Sequence, residues 1–279
     1  MSGREPGAGR ILVVGRGSFL AGHLLSALPP ARIRAVGHDE VERADLLDGV
    51  ECVVNCARHP LLGSEGYRPA TMDPDLRLAK RLGGREIAYV MLSSRKVYAP
   101  SAQPLAESAP TVPSDLYGRH KLAAEEQLRD LLGERLTVLR LANVFGYERG
   151  PGRRTFLSIS LDRLEREGAI HFDMSPFVLR DFLPVERCAR LLAGIATAPP
   201  GGVLNVGSGI GLPTGRLALW ILEGFGGGRL VIEAPREHDA FVLDVGRLRG
   251  LCGAPCTLAE IRAQAVAIGR RLARESGRE

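Results

Sequence analysis

The stretch RILVVGRGSFLAGHLL, residues 10–25, decides the fold. An apolar run of strand character leads straight into a glycine turn, and the turn leads into the helical pattern FLAGHLLSAL. Gly15 makes the tight turn. A helix beginning near Ser18 would aim its free N–H groups and positive dipole end at an anion such as a dinucleotide pyrophosphate. Ser18 stands where a glycine is common, and its hydroxyl can itself donate to a phosphate oxygen. Glycine turns of this kind also occur in βα units that bind nothing, so the rest of the chain has to decide.

Working outward, short β-branched runs alternate with helical patterns: ARIRAV, VECVVNCA, IAYVMLSS and RLTVLRLANVFG. They are nearly continuous apolar runs, as a parallel sheet covered on both faces requires. The expected fold class is α/β, a Rossmann-like doubly wound parallel sheet with a smaller C-terminal α/β substrate lobe. The connection between ARIRAV and VECVVNCA is short and polar, so one crossover helix is reduced or missing. Residues 1–147 read as an NAD(P)-binding Rossmann domain. Residues 148–279 read as a substrate-binding lobe, with a strand near 203–207 returning to the main sheet.

Composition narrows the function. The chain has 279 residues, 45% hydrophobic and 25% charged, with a net charge of +5. The basic excess is almost wholly arginine, scattered rather than gathered into a stripe, so a nucleic-acid partner is not expected. Guanidinium groups suit anionic small molecules, because they match phosphate oxygens bidentately. Five cysteines without a CxxC pair indicate neither a disulfide framework nor a zinc site, and no metal is expected. No apolar run approaches a membrane span, so a cytoplasmic protein without a membrane partner is expected.

One further stretch bears on chemistry. SDLYGRHKLAAEEQL, residues 114–128, puts Tyr117 and Lys121 four apart on one helical face, in a chain with three lysines. Ser114 or Asp115 caps the helix and Gly133 ends it. Alone, such a pair reads as a packed ring beside a solvated ammonium.

Taken together, the motifs resemble those of the extended short-chain dehydrogenase/reductases, also called the NAD-dependent epimerase/dehydratase family. GRGSFLAGHL is similar to that family's glycine-rich turn, YGRHK fits its YxxxK, and MLSSRKVYAP fits its SSxxVYG except at Ala99. NCA at 55–57, LRLANVFG at 139–146, RDFLPV at 180–185 and LNVGSG at 204–209 follow in the family's order. The resemblance covers nearly the whole chain.

It implies catalytic roles for Ser94, Tyr117 and Lys121. A tyrosine ordinarily titrates near 10, and a neighbouring cation such as Lys121 favours its phenolate. Tyr117 would be the acid/base, Lys121 would also hold the nicotinamide ribose, and Ser94 would bond the substrate oxygen. Gly15, Arg16, Gly17, Ser18, Phe19 and Leu20 would form the pyrophosphate turn. Asp45 and Leu46 resemble the pair that contacts adenine, unless Asp45 is only a cap. Asn55, Cys56 and Ala57 would line the cofactor, with a small core residue as the other reading of Cys56. Asn143 resembles the family's substrate-contacting asparagine. Arg180 resembles its diphosphate-binding arginine or else pairs locally with Asp181, and Arg153 and Arg154 either add to an anion pocket or lie in a solvated loop.

The expected cofactor is NADP(H) rather than NAD(H), because Arg16 can meet a 2′-phosphate while Asp39 and Glu40 come slightly late for the ribose hydroxyls. Family dehydratases carry Asp-Glu where this chain has Arg95 and Lys96, and no cysteine lies beside SSRKVY as in the fucose-nucleotide enzymes. What remains is reduction of a nucleotide-linked 4-keto sugar, a nucleotide-sugar 4-epimerase, or a non-catalytic NAD(P)-sensing protein. Family members often form a homodimer through a bundle that includes the YxxxK helix. Leu122, Leu128 and Leu132 would serve that, or would pack on the protein's own sheet.

Overall fold

The computed structural model describes residues 9–101, 103–149, 155–236 and 240–277. It opens with β1 (Arg10–Val14), whose last four residues are buried, and α1 (Phe19–Ala27). Ser18 caps α1, its Oγ accepting from Ala21 N at 3.3 Å. β2 (Ile33–Val36) and β3 (Val50–Asn55) follow, joined by turns rather than a helix. α2 (Pro69–Met72) and α3 (Pro74–Leu82) come next, α3 capped by Asp73, which accepts from the amides of Asp75 and Leu76. β4 (Ala88–Ser94) leads to α4 (Leu116–Leu132), capped by Asp115 and closed by Gly133.

β5 (Leu136–Leu141) and β6 (Asn143–Phe145) precede α5 (Phe156–Glu167), β7 (Ala169–Met174), β8 (Leu179–Pro184) and α6 (Val185–Thr197). The chain ends with β9 (Gly202–Val206), β10 (Gly211–Pro213), α7 (Thr214–Phe225), β11 (Arg229–Arg236), α8 (Gly246–Cys252) and α9 (Leu258–Glu275).

Six strands make the main sheet in the order β2-β1-β3-β4-β5-β9, and β1 to β5 run parallel. β2 lies on one side of β1 and β3 on the other, so the strand order reverses between β1 and β3. In doubly wound sheets the ligand crevice opens at the carboxyl ends of the strands at such a switch point. Two smaller sheets, β10-β8-β6 and β11-β7, hold the remaining strands.

The chain forms two compact units. One contains residues 1–99, 109–141 and 189–205, the other residues 100–108, 142–188 and 206–279. In the first, Leu12, Val14, Val53, Leu76, Met91 and Leu128 belong to one buried cluster. Leu132 joins them, so of Leu122, Leu128 and Leu132 only Leu122 stays partly exposed. Among the described residues, no helix is long and apolar enough to cross a membrane.

Candidate active site

Gly15 stands at the end of β1 with a φ of +85°, and a Cβ on it would lie 2.7 Å from the Ala57 nitrogen. Both conditions demand glycine: L side chains avoid that φ, and the backbone after β3 leaves no room. The amides of Gly15 and Arg16 donate to Val36 O at 2.9 and 3.0 Å, and Cys56 N donates to Val14 O at 2.9 Å. The ends of β1, β2 and β3 are thereby drawn together at the switch point, with Gly17 open on its outer side and α1 starting two residues later. A close-approach turn feeding a helix N-terminus fits a dinucleotide pyrophosphate. Phe19 and Leu20 occupy the first helical positions, partly exposed.

Beside the turn lies a cavity of about 280 Å³ lined by Arg16, Arg34, Val36, Glu40, Arg43 and Asp45. Sequence spacing puts Glu40 late, yet the chain folds back: its carboxylate accepts from Gly37 N at 2.8 Å and pairs with Arg16 at 2.9 Å and Arg43 at 3.7 Å. Asp45 is exposed and pairs with Arg43, whose hydrogen bond holds its carboxyl below the usual range. Arg34 donates to the carbonyls of Asp45 and Leu46 at 2.6 and 2.8 Å, and Leu46 is buried.

Ser94 ends β4 and caps the short 3-10 turn at 95–97, its Oγ accepting from Lys96 N at 3.2 Å. The α4 N-terminus packs directly on that turn. A Cβ on Gly118 would stand 2.2 Å from Lys96 O, Lys96 Nζ pairs with the capping Asp115, and that ammonium lies 5.8 Å from the Tyr117 ring centre. Tyr117 is half-buried, and its Cβ would be 3.2 Å from a Cβ on Gly63 in the loop after β3. Lys121 is buried and donates to Leu92 O on β4 at 2.9 Å. The structure therefore gathers the Ser94 turn, Tyr117 and Lys121 around the ends of β3 and β4.

Beneath them lies a polar cluster that sequence reasoning did not find. Asp75 is buried, its Oδ1 accepting from Asn55 Nδ2 at 2.8 Å and Tyr89 OH at 2.9 Å, and its Oδ2 lies 3.8 Å from Lys121 Nζ. Asn55 also accepts from Ala57 N at 2.9 Å, so its amide is turned inward and braces the strand end. Burial, with Asp75 nearby, pushes the Cys56 thiol up to about 12. Burial works to lower the Lys121 value, but Asp75, Tyr117, Asp73 and Glu125 outweigh it and the net shift is upward.

In the second unit, Asn143 donates its side-chain amide to Asp181 O at 2.9 Å and borders a mainly apolar cavity of about 240 Å³ with Phe145, Phe156, Phe172, Phe182 and Leu217. Arg180 is buried, its guanidinium 5.3 Å from the Phe241 ring centre. The Asp181 carboxylate accepts from Ser208 N and Oγ, Gly209 N and Leu243 N, between 2.7 and 3.3 Å. Arg153 and Arg154 lie outside the described residues. Among the described residues, no cluster of His, Cys, Asp and Glu has the make-up of a metal site.

Sheet order and the glycine turn at the switch point together define a Rossmann-like α/β protein. The chain belongs to the NAD dependent epimerase/dehydratase family, whose sequence model matches residues 11–207. It is 30% identical over 190 residues to a UDP-glucose 4-epimerase of Azospirillum brasilense, a match covering 56% of this chain and 54% of that protein. The match thus spans about half the length of that relative. A solved NAD-dependent NDP-hexosamine 5,6-dehydratase involved in tunicamycin biosynthesis superposes with a TM-score of 0.80 at 18% identity, covering 96% of this chain and 98% of its own. A UDP-N-acetylglucosamine 4-epimerase from Methanobrevibacter ruminantium M1 gives 0.79 at 19% identity, covering 96% and 99%. At these identities the structural likeness shows the fold.

Proposed function

We propose that the protein is an NADP(H)-dependent reductase of a nucleotide-linked 4-keto sugar, with Tyr117 as proton donor. The observation that carries this reading is the gathering of Ser94, Tyr117 and Lys121 around the ends of β3 and β4. Gly15, Arg16, Gly17, Ser18, Phe19 and Leu20 hold the pyrophosphate in this reading, Asp45 and Leu46 meet the adenine, and Asn55, Cys56 and Ala57 form the floor of the crevice. The nicotinamide, when bound, supplies the hydride.

The chain's own residues do the rest. Ser94 Oγ keeps its proton while accepting from Lys96 N, and donates it in a hydrogen bond to the ketone oxygen. Tyr117 delivers its phenolic proton to that oxygen as the carbon is reduced, and the Lys121 charge stabilises the phenolate left behind. Residues 148–279, together with β6 just before them, supply the substrate side, with Asn143 and Arg180 as anchors. The aromatic lining at Phe145, Phe156, Phe172 and Phe182 suits a planar nucleotide base. Arg154 is assigned to the same diphosphate end.

Arg16 and Arg43 support NADP(H), since both border the cavity where a 2′-phosphate would stand. The Glu40 carboxylate at the same place favours NAD(H) as the second reading of the cofactor. The identity with a UDP-glucose 4-epimerase likewise favours epimerisation as the second reading of the reaction.

One experiment separates these: purified protein with NADPH or NADH and a panel of nucleotide-linked 4-keto-6-deoxy sugars, followed by loss of reduced-nicotinamide absorbance, beside Tyr117→Phe. Stoichiometric consumption, fastest with NADPH and reduced about a thousandfold or more by the substitution, is expected. Interconversion of two ordinary nucleotide sugars without net consumption means an epimerase. Cofactor binding without turnover of either kind means a sensing protein.

A further inference from the structure

Lys121 is in an unusual position for a lysine, with a side chain only 7% exposed. A buried ammonium loses its hydration and tends to give up its proton unless a counter-charge replaces that hydration. The one ion pair of Lys121 among the described residues is with Asp75 at 3.8 Å, and that carboxylate is itself 2% exposed. Asp75 does not reach Lys121 by chance of a mobile side chain. Asn55 Nδ2 from β3 and Tyr89 OH from β4 both donate to Oδ1, which leaves Oδ2 for the ammonium, and Lys121 Nζ also donates to Leu92 O.

We propose that Asp75 is a positioning residue for the Tyr117–Lys121 pair: it is the counter-charge that keeps buried Lys121 an ammonium and fixes it beneath Tyr117. The part of this that concerns turnover rests on the proposed role of Tyr117.

On α3, Asp73 caps the helix and accepts the Tyr67 hydroxyl at 2.6 Å, so its carboxylate is already bonded. On β4, burial and the aspartates push the Tyr89 phenol far up, so it stays neutral and a donor. At the end of β3, the Cys56 thiol is neutral for the same kind of reason. On α4, Glu125 is engaged by Arg140 and Ser93. Asp75 is therefore the nearest carboxylate able to balance Lys121.

Burial, opposed by Lys121, places the Asp75 carboxyl at about 6. The sign follows directly. Above that value Asp75 is an anion and the pair is complete; as pH falls through it the carboxyl takes a proton and Lys121 loses its balance. Removing the carboxylate altogether lets burial lower the Lys121 value, so that its charge is lost at a lower pH than in the native protein.

Because the chain has three lysines, their side chains can be followed individually by NMR after labelling with ¹³C-lysine. Lys80→Arg and Lys96→Arg assign the signals. In Asp75→Asn the Lys121 midpoint is expected to fall by about one pH unit or more. The alkaline limb of kcat/KM should move down with it, with kcat reduced more than KM is changed. A Lys121 midpoint unmoved in folded Asp75→Asn overturns the proposal. Should that variant not fold, native protein decides: the Lys121 signal is expected to show an inflection at the pH where the Asp75 carboxyl titrates, and a Lys121 signal blind to that step overturns the proposal. If instead Tyr117→Phe keeps full activity, the catalytic reading fails while the Lys121 titration still judges this one.

Discussion

Gly118 follows Tyr117 directly, and the space there is already taken: a Cβ would lie 2.2 Å from Lys96 O and 2.8 Å from Pro113 Cβ. Lys96 O is backbone of the turn that Ser94 caps, so it cannot swing away as a side chain would. Gly118→Ala is therefore expected to push the first turn of α4 off the Ser94 turn. Misplacement of a catalytic group by about 1 Å costs on the order of a hundredfold in rate, and the overpacking about 1–3 kcal/mol. Turnover and thermal melting of the variant check this; wild-type values for both would mean that the two turns do not pack as described. At this scale the sequence was informative about residue type and spacing. Ser94, Tyr117 and Lys121 stand out as candidates only through the ordered set of family-like motifs, since the Tyr117–Lys121 spacing alone reads as a packed ring beside a solvated ammonium, whereas Asp75 reads only as a first-turn acid after the Asp73 cap. That it is buried against Asn55, Tyr89 and Lys121 depends on three elements meeting, and no local pattern records that.

The elements show the same division. β1, β3, β4 and β5 were legible as continuous apolar runs because both faces of a central parallel strand are covered. α4 carried a cap as well as periodicity, while the structure shows that α9 starts on a capping box of Thr257 and Glu260. β8 was not legible as a strand, because Arg180 and Asp181 break the apolar run. It forms since the Asp181 carboxylate is satisfied by Ser208, Gly209 and Leu243, which lie far along the chain. α4 carries a buried charge of its own. Glu125 and Arg140 are 0% and 4% exposed, with Arg140 Nη2 2.7 Å from Glu125 Oε2 and Nε 3.2 Å from both oxygens. Ser93 donates to the same carboxylate, so the pair ties α4 to β4 and β5. Breaking such a pair strands a charge in the interior, and Arg140→Met is expected to cost about 3–5 kcal/mol. Adding Glu125→Leu should return much of that loss, since the orphaned carboxylate goes with it. Urea unfolding midpoints of the single and double variants test the argument, and a double variant no better than Arg140→Met would refute it.

Across the whole chain, the two compact units are interleaved rather than consecutive. The first takes residues 189–205 from the C-terminal part of the chain, and the second takes 100–108 from the N-terminal part. β9, at 202–206, lies beside β5 and completes the main sheet. β5 is buried along five of its six residues, so it is built as an interior strand. A chain ending at residue 147 would keep the glycine turn, β1 to β5 and α4, yet leave β5 as an open edge with its ladder groups unpaired. A long apolar edge of that kind recruits other chains. The expected outcome is a protein that retains helical and strand content by far-UV circular dichroism, binds a hydrophobic dye and elutes as soluble aggregates or precipitates. Supplying residues 185–207 behind a flexible linker should restore a monodisperse species, because that segment carries both β9 and α6. A well-folded monomer from residues 1–147 alone would show that β5 tolerates exposure and that β9 adds nothing essential to the sheet. The reason for the opposite expectation is physical: a central parallel strand has hydrogen-bonding groups on both sides, and only the late segment of this chain meets the second set.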